Sequence, residues 1–184
     1  TLLNLLIASL VGLIWVGFGS VLLLRAGVRF RHKSEEMALS AGVGAAFLVY
    51  AMVALGFAGL YRPGVAWGLI GAMGLVAAWG WARMEWLSDL LRLVAAAARV
   101  RSIVALFVSF VSLYGIAYLL VALAPTLEGD SIAGYLLTAR EYAAQRGIVS
   151  VEYAYTNTFP ANGQMLSTLG FLLHGQILAQ LLIV

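Results

Sequence analysis

The chain has 184 residues, of which 63% are hydrophobic and only 10% charged, with a formal net charge of +3. A soluble domain carries about 25% charged residues. This chain could not coat a water-facing surface, and its mean hydropathy of +0.98 points to a lipid-facing one. The basic excess belongs at a membrane edge rather than on nucleic acid. With no cysteines and two distant histidines, His32 and His174, disulfide, thiolate and His-rich metal chemistry are excluded as central features.

The first apolar run, positions 2–24, is uncharged and long enough to span about 30 Å of hydrocarbon. It lacks a basic leading segment and is too long for a signal-peptide core. Thr1 in place of an initiator Met, and an apolar run still unbroken at Val184, suggest processing or a fragment. A polar cluster from Arg25 to Glu36 follows, then a Gly- and Ala-rich run at 37–61, whose small residues suit close helix packing. Arg62-Pro63-Gly64 reads as a turn. The third run, 65–82, carries Trp67, Trp79 and Trp81 near its ends, as an interfacial belt would.

Positions 83–101 interleave Arg83, Glu85, Asp89, Arg92, Arg99 and Arg101 with Trp86, Leu87, Leu90, Leu91, Leu93 and Val94. This composition predicts an amphipathic helix lying in the interface; a cytoplasmic extension of the third span is the alternative. The fourth run, 103–124, is ended by Pro125, and a fifth runs from near Asn162 to the end. The expected fold is therefore all-α: a polytopic helical bundle of about five spans. It divides into a three-span region at 1–101 and a two-span region at 102–184. Eight of the eleven basic residues fall in the loops after spans one and three; Arg62, Arg140 and Arg146 fall on the other side. The positive-inside rule then puts the N-terminus and the 125–160 loop outside.

That loop holds the chemistry-bearing residues. Asp130 or Ser131 can cap a helix over 131–145, with Gly147 as its C′ residue. Its apolar positions Ile132, Leu136, Leu137 and Tyr142 fit a helix lying on the membrane surface. Glu128 and Asp130 sit just outside the bilayer, where a carboxylate can act as a general base or bind a divalent metal through oxygen. Helix capping by Asp130 and a solvated Glu128 account for the same residues. Arg140 can pair with a phosphate or simply face solvent.

Pro125, Asp130, Arg140, Tyr142 and Gly147 are followed by Asn157, Phe159-Pro160 and Gly163-Gln164-Met165-Leu166. This order, over about 40 residues, resembles the first extracytoplasmic loop of bacterial GT-C type membrane glycosyltransferases. That group includes protein-mannosyltransferase-like and lipid A sugar-transferase-like enzymes. The resemblance implies sugar transfer from a polyprenyl-phosphate donor at the outer face of a bacterial inner membrane. Asp130 would be the catalytic acid/base, and the metal ligand if a divalent ion is used, with Glu128 as its helper. Arg140 would contact phosphate, and Tyr135, Tyr142 and Gln164 would line the pocket. The sequence departs from the family at Gly134-Tyr135, where Tyr-His is frequent, and has fewer spans than such enzymes usually have. A non-catalytic subunit of a larger membrane assembly, such as an energy-converting complex, is the alternative. A channel or transporter ranks below both, because the spans hold almost no ionisable residues.

Overall fold

Backbone groups in hydrocarbon must be hydrogen-bonded within their own segment, which drives long apolar runs into helices. The computed structural model describes residues 1–83, 102–123, 136–151 and 162–183. Among them the chain is all-helical: α1 (Leu2–Arg25), α2 (Lys33–Phe57), α3 (Pro63–Arg83), α4 (Ser102–Leu123), α5 (Leu136–Ala144), α6 (Asn162–Leu173) and α7 (Gln176–Leu181). By length and composition, α1, α2 and α3 can each cross a membrane, and α4 carries a further apolar stretch, Ser109–Leu123. The 84–101 stretch, expected as an interfacial helix, lies outside the described residues.

Local chemistry sets the helix ends. Glu35 and Glu36 stand in the first turn of α2 and Arg83 in the last turn of α3, each where the helix dipole favours its charge. The α2–α3 turn differs from the expected Arg62-Pro63-Gly64. It is made by residues 58–62, with Gly59 at φ 67°. Pro63 already opens α3, a position where its missing N–H costs nothing.

α1 is the hub, packed against both α2 and α3. Small residues let the backbones touch. Gly19 lies against the Ser40 backbone, Gly44 against the Trp15 backbone, and Gly80 against the Gly17 carbonyl. Trp81 turns inward rather than joining an aromatic belt: its Nε1–H donates to the Leu13 carbonyl at 2.8 Å. Val11, Leu48, Met52, Ile70 and Met73 fill the core, while Leu6, Leu10, Tyr50, Phe57 and Leu75 face outward. An exposed apolar face of this kind suits lipid.

The remaining helices correct two expectations. The final apolar run is not one continuous span. It breaks at His174-Gly175, where Gly175 adopts φ 95°, a conformation open to glycine at little cost. α7 then folds back on α6, with Gly170 against Ala179 and Ser167 Oγ donating to the Ala179 carbonyl at 3.5 Å. Nor does α5 spread its apolar side on lipid: Leu136, Thr138, Ala139 and Tyr142 are buried where α5 packs on α6.

α6 is tied to one end of the bundle at both of its own ends. Near its start, the Tyr61 hydroxyl lies 3.3 Å from Met165 Sδ. Just past its finish, His174 Nδ1 lies 2.7 Å from Asn4 Oδ1. Asn4 begins α1 and Tyr61 follows the end of antiparallel α2, so α6 lies across that end as a cap.

Candidate functional site

The cap is where the sequence placed its candidate residues. α5 closes with a Schellman-type turn: Gly147 N–H donates to the Tyr142 carbonyl at 3.1 Å. The left-handed C′ position is held by Arg146, at φ 62°, and not by Gly147 as expected. Gly147 is reserved for a different task. A Cβ there would come within 3.0 Å of the Gly56 carbonyl. On either side of it, the Arg146 carbonyl accepts from Tyr61 N–H at 3.1 Å, and Ile148 N–H donates to the Gly56 carbonyl at 3.2 Å. The segment after α5 is thereby stitched to the α2–α3 turn.

Tyr61 is the pivot of this junction. Its side chain is fully buried, and its hydroxyl donates to the Met52 carbonyl at 2.8 Å. Burial, with a smaller contribution from Tyr142, pushes the Tyr61 phenol well above its ordinary range, and burial raises Tyr142 as well. Both phenols are therefore neutral at physiological pH. Nothing in the local sequence singles out Tyr61, because two of its partners, Arg146 and Met165, lie far along the chain.

The expected site residues divide between interior and surface. Tyr142 and Gln164 are buried side chains. Arg140 is exposed and makes no ion pair among the described residues. It borders a cavity of about 120 Å³ with Leu136, Leu137, Phe171 and Gln176. Such a volume suits a phosphate-sized group, whereas whole ligands occupy pockets of about 300–1,000 Å³. Phe171 and Gln176 were not anticipated. Their only signal is that they flank the His174-Gly175 break. Asp130, Glu128 and Tyr135 lie outside the described residues. Among the described residues, no group of three or more His, Cys, Asp or Glu side chains is gathered to hold a metal.

The fold and composition define a class: an all-helical protein that has, among the described residues, three apolar helices long enough to cross a bilayer. Comparison with known protein families, with characterised proteins and with solved structures finds no match to this chain.

Proposed function

We propose that the chain is a GT-C-like membrane transferase, or part of one, acting on a polyprenyl-phosphate sugar at the outer face of a bacterial inner membrane. In this reading α4 supplies a fourth crossing, and the α6–α7 hairpin caps the outer end of the bundle. The observation that carries the reading is Arg140. It is a guanidinium at the cap surface, bordering a cavity of about 120 Å³ and ten positions after Asp130 in the chain. A planar, permanently charged donor there suits the donor phosphate. Asp130, assisted by Glu128, would take the acceptor proton, and a divalent ion, if used, would sit on Asp130. Tyr142 and Gln164, being buried, would position α5 and α6 rather than touch substrate.

The test is transfer from a polyprenyl-phosphate sugar by protein reconstituted in vesicles. Asp130→Asn should lower turnover about 10²-fold or more, as loss of a general base does. Arg140→Gln should raise KM about tenfold, as loss of a charge-assisted contact does. Wild-type turnover in Asp130→Asn overturns the assignment.

One observation favours a second reading, a subunit of a larger membrane assembly. Every described side chain of α4 from Ser109 to Val121 is exposed, including Tyr114 and Tyr118, whose rings stack at 5.6 Å. Serine and tyrosine hydroxyls on such a helix would gain hydrogen-bond partners from a neighbouring helix. Native mass measurement in mild detergent distinguishes the two, since a lone monomer counts against the subunit.

A further inference from the structure

A second cavity lies at the opposite end of the bundle from the cap. It measures about 420 Å³ and is bounded by Ser20, Val21 and Leu24 of α1, Glu36 of α2, and Trp79, Gly80 and Arg83 of α3. Its lining is graded along the helix axes. Arg83 closes α3 and Glu36 lies in the first turn of α2, so both charges stand at the rim. Ser20, Val21, Trp79 and Gly80 lie about one turn deeper, given 3.6 residues per turn. The Arg83 guanidinium rests 4.2 Å from the centre of the Trp79 ring, which holds it over the mouth by a cation–π contact.

The charge at the rim does not cancel. Glu36 is already paired with Lys33 at 3.2 Å, whereas Arg83 makes no ion pair among the described residues. Arg25, Arg29, Arg31 and Lys33 surround the same end against Glu35 and Glu36. What remains, among the described residues, is an unmatched guanidinium above an apolar cleft between apolar helices. That is the polarity of a glycerophospholipid with a net negative head group, and basic pockets between spans take such lipids. We propose that this cavity binds an anionic glycerophospholipid, its phosphodiester on Arg83 and its first acyl segments against Val21, Leu24 and Trp79.

The site is independent of the transferase reading, being at the other end of the molecule, and is tested by binding alone. Protein purified in mild detergent is titrated with dioleoylphosphatidylglycerol, dioleoylphosphatidylcholine and inorganic phosphate, and bound species are counted by native mass spectrometry. Phosphatidylglycerol should bind about tenfold tighter than phosphatidylcholine, and free phosphate should not bind measurably. Arg83→Gln should lose about tenfold in phosphatidylglycerol affinity, the worth of one charge-assisted hydrogen bond. Arg31→Gln makes the same charge change at the same end outside the cavity and should lose about twofold or less, a rim-charge effect. Leu24→Trp keeps every charge but fills the cleft, and should also weaken binding; it carries the test if Arg83→Gln fails to fold. Equal binding of the two lipids, an Arg31→Gln loss as large as that of Arg83→Gln, or wild-type affinity in Leu24→Trp would each overturn the proposal.

Discussion

Tyr61 shows how much one side chain can hold. Its backbone N–H reaches Arg146, its hydroxyl reaches Met52, and its ring end meets Met165, so three segments converge on it. Its raised pKa has a sign that can be worked through. The unfolded phenol ionises near pH 10, whereas the buried one resists ionisation. Stability is therefore complete below about pH 10 and falls as the pH rises above it, because the unfolded state loses its proton first. Tyr61→Phe should cost about 1 kcal/mol at neutral pH through the lost hydrogen bond. It should also flatten most of the alkaline fall, leaving the smaller share of Tyr142. Melting temperatures between pH 7 and 11 in detergent check this; an unchanged alkaline slope would show that Tyr61 is not its cause. Asp130, by contrast, stands out in the sequence as a carboxylate shortly after an apolar run ended by Pro125. A carboxylate at such a place is conspicuous locally, while a tyrosine buried by tertiary contacts is not.

At the level of elements, the close approach of α1 to α2 rests on single glycines. Gly44 abuts the Trp15 backbone, whereas a Cβ at Gly42, two residues earlier, would meet nothing within 4 Å. Gly44→Val should destabilise the protein by about 1–3 kcal/mol through overpacking. Gly42→Ala should be neutral or gain about 0.5 kcal/mol, since alanine is the better helix former. Thermal unfolding of the two variants separates them, and similar melting temperatures would contradict the packing described here. That spans two and three are rich in small residues is legible from composition. Which glycines touch is not: Gly17 and Gly19 of α1 make close contacts from within an otherwise bulky run. The helix over α5 is likewise legible, but whether its apolar side meets lipid or protein is not, because α6, which covers it, is distant in the chain. Both surfaces demand the same residues.

For the whole molecule, orientation is the testable quantity. The charge asymmetry of the loops predicts Ser34 inside and Ala144 outside. The chain has no cysteines, and both positions are exposed, so single Ser34→Cys and Ala144→Cys variants report sidedness directly. An impermeant thiol reagent applied to right-side-out vesicles should label Ala144→Cys and spare Ser34→Cys; labelling both from one side would refute the topology. The amino-acid sequence by itself determined that the chain is helical, apolar enough for a bilayer, and, to within two residues, where α1, α3 and α4 begin and end; α2 lies four residues earlier than its apolar run. Those properties follow from local hydrophobicity, helix-end chemistry and the demand that backbone groups be satisfied. Only the tertiary structure decided that the last apolar run is two helices folded on each other rather than one, that α6 closes the end of the bundle, and that Tyr142 and Gln164 are buried while Arg140 stays at the surface. A helix apolar on every side carries no periodic mark of which face meets lipid and which meets protein; that choice is made by partners distant in the chain.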